Sequence, residues 1–147
     1  MISIRKATLA DELVLLEWVN QYDSLSTKIE TKNKILLSKH KKWFLERLND
    51  LGTYIWIILN EKRKPLGQIR FQKKIEKYFD VDIYVESNER RKGIAKKALY
   101  LAQRETGLKP LRAFVKKNNT NSYKFFLCNG FLLQLEDESM WVLIKNN

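Results

Sequence analysis

Cysteine and histidine are almost absent from the chain. Its 147 residues include one of each, Cys128 and His40. A single cysteine allows no internal disulfide, and this pair cannot supply the set of cysteine and histidine ligands that holds zinc in proteins. We therefore expect neither a disulfide scaffold nor a metal site.

Glycine, proline and long apolar runs are also scarce. Five glycines and two prolines leave little room for flexible linkers, so residues 1–147 are expected to form a single domain. The longest apolar run, Tyr54 to Leu59, is far shorter than the roughly 20 residues of a membrane span. The first residues lack the apolar segment of a signal peptide. These absences predict a cytoplasmic protein that does not bind membranes.

Basic residues are in excess, with 28 lysines and arginines against 17 acidic residues and a formal net charge of +11. Such an excess indicates an anionic partner. Most of these residues are scattered and form no helical stripe interleaved with aromatic residues, so we expect no nucleic-acid binding. The exception is a cluster between Arg90 and Lys97, which lies where a predicted strand meets a predicted helix.

That cluster contains the turn Arg90-Arg91-Lys92-Gly93-Ile94-Ala95, between an alternating strand, Tyr78 to Glu86, and a helix-forming run from Lys96 to Glu105. The first N–H groups of a helix have no internal partner and lie at the positive end of its dipole, which favours phosphate binding. The turn lacks the glycine spacing of the P-loop and of the Rossmann fingerprint. It predicts a pyrophosphate-binding cradle of another kind.

The turn reads Arg/Gln-x-x-Gly-x-Gly/Ala and so resembles the GNAT superfamily of acetyl-CoA-dependent N-acetyltransferases. A second block in the expected order strengthens the resemblance. It follows the family pattern of Asn-x-x-Ala/Ser, then Tyr/Phe, then Gly-Phe, at the positions Asn119, Ser122, Phe126, Gly130 and Phe131. Together the two blocks span about residues 67–131.

The resemblance implies an α/β fold of the GNAT type, with a mixed, mainly antiparallel sheet of about seven strands and helices on both faces. The hydrophobic pattern agrees with this fold class. It predicts a helix started by Thr8 and Asp11, a second helix capped by Ser38, and a hairpin turn from Asn60 to Pro65. Residues 20–34 are predicted to form a loop, which in this family borders the acceptor site.

The resemblance also implies that acetyl-CoA is the acetyl donor. Backbone groups of the cradle would hold the pyrophosphate of CoA, and main-chain groups of the preceding strand would hold its pantetheine arm. Asn119 would help to position that arm, although asparagine also caps helices without any ligand. The predicted cofactor-binding residues are Ile83, Tyr84, Val85, Arg90, Arg91, Lys92, Gly93, Ile94, Ala95, Lys96, Asn119 and Phe126.

Phe126 is the main departure from the family. Many GNAT enzymes carry tyrosine at this register, where the hydroxyl is thought to protonate the leaving thiolate, and phenylalanine has no proton to give. A thiol has a reference pKa near ~8.5, so thiolate can leave without obligatory proton transfer. Tyr123 lies about one helical turn earlier and is the candidate substitute, with simple packing as the alternative.

A general base is needed only if the amine arrives as ammonium. Asp80, Asp82 and Glu86 lie on the polar face of the strand before the cradle, and we favour Asp82. We expect the two aspartates to line a wet cleft, the alternative being that they pair with Lys or Arg. His40 is a second candidate, although its spacing with Phe44 also fits a core histidine.

The acceptor is indicated less clearly. Trp18-Val19-Asn20, the stretch around His40, and Gly67-Gln68-Ile69-Arg70-Phe71 resemble amino-sugar N-acetyltransferases of bacterial surface-sugar pathways, such as the pseudaminic acid route. This resemblance implies a nucleotide-linked amino sugar as acceptor. The alternatives are a protein N-terminus, another small amine, or a non-catalytic acetyl-CoA-binding sensor. A monomer and a homodimer are equally compatible with the sequence.

Overall fold

A single mixed sheet organises the protein. The structure, a computed structural model, describes residues 1–21, 34–74 and 77–147, and within them seven strands pair in the order β1-β2-β3-β4-β5-β7-β6. All neighbours are antiparallel except β4 and β5, which are parallel. The strands are β1 Ser3–Lys6, β2 Thr53–Leu59, β3 Pro65–Lys73, β4 Phe79–Val85, β5 Leu111–Lys116, β6 Leu132–Glu136 and β7 Met140–Lys145.

Four α-helices lie in the described part of the chain. They are α1 Glu12–Val19, α2 Leu37–Leu48, α3 Ile94–Thr106 and α4 Thr120–Cys128. None of these helices is long and apolar enough to cross a bilayer.

The two faces of the sheet carry separate apolar cores. Side chains alternate between the faces of a strand, so β2 contributes to both. Ile55, Ile57 and Leu59 pack with residues of α1 and α2, whereas Trp56 and Ile58 pack with residues of α3 and α4. Helices therefore cover both faces, and the predicted fold class is confirmed.

Helix starts agree only in part with the sequence. The predicted start at Thr8 and Asp11 is present: a carboxylate oxygen of Asp11 accepts the N–H of Thr8 at 2.8 Å, and Arg5 donates to both oxygens. The predicted cap at Ser38 is wrong, because α2 begins at Leu37 with Leu36 as its N-cap. Most of the predicted 20–34 loop, residues 22–33, lies outside the described residues.

Candidate active site

The sheet splits between β4 and β5. These strands pair at two positions only, Phe79 with Leu111 and Asp80 with Arg112. Beyond Asp80, β4 stays paired to β3 as far as Val85, and β5 stays paired to β7 as far as Lys116. The two halves of the sheet therefore diverge, and a wedge opens between β4 and β5, which we call the split.

The hydrogen-bond pattern of β4 shows which main-chain groups face the split. The N–H of Glu86 donates to the carbonyl of Leu66 at 2.8 Å on the β3 side, and the N–H of Phe79 donates to the carbonyl of Pro110 at 3.1 Å on the β5 side. Since these directions alternate along an antiparallel strand, Ile83 and Val85 present their N–H and C=O groups to the split. The corresponding groups of Tyr84 face β3.

The predicted cradle forms the start of α3, close to the open end of β4. Gly93 is the N-cap with φ 77°, and no side chain caps the helix there. The N–H groups of Ile94, Ala95 and Lys96 have no carbonyl partner within the helix. A Cβ atom built on Gly93 would meet nothing within 4 Å, so the space beside the N-cap is open. An open, uncapped helix start fits a pyrophosphate.

One side chain of the cradle is buried in the core, and others form an exposed basic rim. Ile94 is 6% exposed and packs in the core with α3, which fixes the position of the turn. Three basic residues lie exposed around it, and one of them, Lys92, forms an ion pair with Glu89 at 3.0 Å. The exposed basic residues of the rim are Arg91, Lys92 and Lys96.

Arg90 is also exposed, but it lies apart from the three residues of the rim. Its Nε donates to the carbonyl of Val85 at 2.7 Å, and its guanidinium lies 5.3 Å from the ring centroid of Tyr84. Arg90 thus contacts the end of β4 and occupies one of the main-chain acceptors at the split. From the sequence, Arg90 was expected only to place a positive charge near the pyrophosphate.

The face of β3 and β4 opposite α3 carries polar side chains, and we call it the acceptor face. Its described polar residues include Gln68, Arg70, Asp82, Tyr84 and Glu86. Asp82 accepts a hydrogen bond from Gln68 at 2.9 Å and lies 3.8 Å from a guanidinium nitrogen of Arg70. Both neighbours stabilise the ionised carboxylate of Asp82.

Asp80 lies on the same face but in a closed arrangement. Arg112 donates to its two carboxylate oxygens at 2.7 and 3.0 Å. The prediction that Asp80 would line a wet cleft was wrong, because its side chain is only 13% exposed and an arginine on the next strand compensates its charge. The alternative of pairing with a basic residue is the one observed.

Aromatic side chains border the acceptor face. Trp18 of α1 lies 5.9 Å from Tyr84 between ring centroids, and its indole N–H donates to Glu86 at 3.3 Å. Trp43 of α2 stacks on the guanidinium of Arg70 at 5.0 Å from the ring centroid. These contacts hold both helices against the acceptor face of β3 and β4.

His40 lies beneath this surface. It is 4% exposed, its ring lies 5.8 Å from Trp43 and 5.9 Å from Phe44, and its Nδ1 has no hydrogen-bond partner among the described residues. Burial lowers the pKa of His40, and the nearby carboxylate of Glu12 opposes that effect. No hydrogen bond or ion pair joins His40 to Asp82 in the described structure.

The residues predicted from the second block belong mainly to α4 and the core. Asn119 caps α4 by accepting the N–H of Ser122 at 3.2 Å. Phe126 is 5% exposed and packs edge-on against Phe131. Tyr123 stacks on Trp141 of β7 at 4.0 Å between ring centroids, on the side of β5 away from β4.

The family model described as the acetyltransferase (GNAT) family matches residues 14–131, a range that includes the split, the cradle and α4. The chain belongs to the GNAT acetyltransferase family. This membership confirms the predicted enzyme class, an acyltransferase. A comparison with curated protein sequences gave no match.

Solved structures share the fold of this GNAT protein at low sequence identity. A domain from Methanocaldococcus jannaschii DSM 2661 has a TM-score of 0.87 and 22% identity over 100% of this chain and 99% of its own. Spermidine N-acetyltransferase from Vibrio cholerae, solved with CoA and spermine, has a TM-score of 0.82 and 12% identity over 97% and 92%. The yncA protein of Salmonella typhimurium, solved with acetyl-CoA, has a TM-score of 0.80 and 17% identity over 99% and 94%.

The predicted donor, acetyl-CoA, is confirmed at the level of the family, since these neighbours were solved with CoA or acetyl-CoA. The sequence did not reveal the two arginine–aspartate pairs or the role of Gln68. The two pairs could have been predicted only from the strand register, which places Arg70 opposite Asp82 and Asp80 opposite Arg112. A one-residue error in that register would have separated them.

Proposed function

We propose that this GNAT enzyme transfers the acetyl group of acetyl-CoA directly to a primary amine on a nucleotide-linked amino sugar. The observation that carries the transfer reaction is the split between β4 and β5, with the open start of α3 beside it. Together these features offer a slot for an extended thioester arm and an anion site for the pyrophosphate that precedes it. Acetyl-CoA supplies a thioester whose carbonyl carbon the amine attacks.

On the donor side, the protein binds chiefly through its backbone. The N–H groups of Ile94, Ala95 and Lys96 bind the pyrophosphate, and the exposed rim of Arg91, Lys92 and Lys96 adds charge. The main-chain groups of Ile83 and the N–H of Val85, which face the split, hold the pantetheine arm. Arg90 fixes the end of β4 by its bond to Val85.

We assign the proton transfer of the reaction to the acceptor face. As the N–C bond forms and the C–S bond breaks, the amine must lose a proton, and Asp82 accepts it directly or through a water molecule. Phe126 and its neighbours in the core offer no acid at the register where many relatives have tyrosine, so the thiolate leaves unprotonated. Tyr123 is the remaining candidate acid, although its stacking on Trp141 places it one strand away.

Charge on the acceptor face favours an anionic acceptor. Within the described residues two of the acids lie beside an arginine, Asp80 beside Arg112 and Asp82 beside Arg70, whereas Glu86 accepts a hydrogen bond from the neutral indole of Trp18. Of these three acids, only Glu86 would offer a polycation, such as the spermine bound to the Vibrio cholerae enzyme, a carboxylate without an arginine beside it. A sugar nucleotide, which carries phosphate, suits the basic surface better.

The test is release of free CoA thiol when the protein and acetyl-CoA are mixed with amines of different charge. The panel contains a UDP-linked 4-amino sugar, the free amino sugar, spermidine and an N-terminal peptide. We expect the fastest release with the UDP-linked sugar. Preference for spermidine or the peptide would overturn the acceptor assignment, and acetyl-CoA binding without release for any amine would support a sensor.

The cytoplasmic location and the choice between monomer and homodimer stay predictions.

A further inference from the structure

Two arginine–aspartate pairs lie side by side on the acceptor face. Arg70 on β3 stands opposite Asp82 on β4, and Arg112 on β5 stands opposite Asp80 on the same β4 strand. Both guanidinium groups also stack on aromatic rings: Arg70 on Trp43 at 5.0 Å, and Arg112 on Phe114 at 4.5 Å. The pairs share one architecture and differ in how the arginine uses its hydrogen-bond donors.

The Arg112 pair is closed. Its Nε and one terminal nitrogen donate to the two oxygens of Asp80 at 2.7 and 3.0 Å, which is the bidentate geometry that satisfies both groups. The two side chains are 12% and 13% exposed. This pair joins β4 to β5 at the last paired position before the split, where a structural link is needed.

The Arg70 pair is open. Its shortest described approach to Asp82 is 3.8 Å, beyond hydrogen-bond distance, and no described hydrogen bond uses a donor of Arg70. Yet the side chain is only 19% exposed, and Trp43 covers one face of the guanidinium. A largely buried guanidinium with its in-plane donors unused is arranged to receive an oxyanion.

We propose that Arg70 is a specificity-determining residue that binds an oxyanion of the acceptor, a phosphate or a carboxylate, while Asp82 receives the amine. This inference rests on the proposed function, because it takes the acceptor face as the site of the amine. Asp82 lies two residues beyond the last β4–β5 pair, so Arg70, one strand away on β3, is level with the opening of the split. Trp43 keeps the guanidinium plane in one orientation, and this residue is 37% exposed, so the site is accessible.

The closed pair provides a matched control. Arg70→Lys and Arg112→Lys both keep the positive charge and remove the planar fork. In the protein saturated with acetyl-CoA, inorganic phosphate and acetate are titrated while the indole N–H signal of Trp43 is followed by NMR. We expect a saturable shift in the unaltered protein and in Arg112→Lys, with about tenfold weaker phosphate binding in Arg70→Lys. No saturable shift, an unchanged affinity in Arg70→Lys or an equal loss in both variants would overturn the proposal.

A kinetic arm distinguishes the sources of the oxyanion. The UDP-linked 4-amino sugar supplies phosphate, glutamate supplies carboxylate, and the free amino sugar supplies neither. Arg70→Lys should lower kcat/KM about 10- to 100-fold for the acceptor that carries an oxyanion, mainly through KM. The free amino sugar should lose much less, and through kcat, because Arg70 also lies beside Asp82. An equal loss for both would overturn the proposal. Calorimetry with acetyl-CoA is the fold check: normal donor binding with no anion effect rejects only this inference, whereas absent donor binding rejects the proposed function.

Discussion

At the scale of single residues, Asp82 is the group on which the proposed proton transfer depends. Gln68 donates to it at 2.9 Å and Arg70 lies at 3.8 Å, so two neighbours hold the carboxyl group in position near the split. A fixed, ionised carboxylate near the reacting amine can act as a base or can orient the ammonium before it loses its proton. Both roles require the negative charge.

Replacement of Asp82 by asparagine removes that charge and keeps the shape. We expect kcat/KM to fall by about 100-fold, the usual contribution of a positioned acid or base. Release of CoA thiol measures the rate, and calorimetry with acetyl-CoA serves as the control because its affinity should not change. Full activity of Asp82→Asn between about pH 6 and 9 would exclude Asp82 as the base.

His40 makes a separate prediction about stability. Burial lowers its pKa in the folded protein, while in the unfolded chain the value is near ~6.5. The stabilisation due to neutral His40 is therefore fully present above the unfolded pKa and declines as the pH falls through it. We expect the free energy of unfolding in urea to decrease from about pH 7 to pH 5.

The chain offers a clean control for this effect, because His40 is its only histidine. His40→Leu, which preserves the apolar contacts with Trp43 and Phe44, should remove most of the slope in that pH range. A slope of the same size in the variant would show that other groups cause it.

Much of the candidate site could be predicted at this scale, because the cradle and the Asn119 cap depend on local sequence. The partners of Asp80 and Asp82 could not, since they come from strands far away in the chain. The contact of Arg90 with Val85 was also missed. A side chain that bonds back to the main chain of the preceding strand leaves no pattern in the sequence.

At the scale of elements, the close packing of β3 on β4 shapes one side of the split. Gly67 stands opposite Val85, and a Cβ atom on Gly67 would lie 2.0 Å from the carbonyl oxygen of Tyr84 and 2.9 Å from the Cα of Val85. Backbone atoms cannot move aside as the end of a flexible side chain can. Only glycine allows β4 its present position.

Gly67→Ala should therefore push the end of β4 away from β3, toward the split. We expect a loss of about 2–3 kcal/mol in the free energy of unfolding and roughly tenfold or weaker acetyl-CoA binding, because Val85 moves. Gly52→Ala is the control, since its Cβ would meet no backbone atom among its nearest neighbours, which are the Cβ of Lys73 at 3.3 Å and the carboxylate oxygens of Asp50 at 3.8 and 3.9 Å. Equal effects of the two substitutions on acetyl-CoA affinity would contradict this role for Gly67.

The elements themselves were largely predictable, since alternation marks β4 and four-residue spacing of Ile94, Ala98 and Ala102 marks α3. The start of α2 was predicted wrongly, because Leu36 has no side-chain acceptor and the nearby Ser38 attracted the assignment. Tertiary packing of Phe44, rather than a cap, positions this helix.

At the scale of the whole molecule, the charge of +11 and the exposed rim of the cradle predict that donor binding is electrostatic in part. Salt screens exposed charges, with a Debye length of about 10 Å at 0.1 M. We expect acetyl-CoA affinity to fall about three- to tenfold between about 0.05 and 0.5 M NaCl. An affinity independent of salt would mean that the rim of Arg91, Lys92 and Lys96 does not contact the phosphates.

The central claim is that one split in one sheet, together with the helix start beside it, binds acetyl-CoA. An NMR titration of the labelled protein with acetyl-CoA tests it residue by residue. The account predicts saturable shifts that are largest at the amides of Ile83, Val85, Gly93, Ile94 and Ala95. The absence of saturable shifts, or largest shifts on the β6 and β7 strands away from the split, would contradict it.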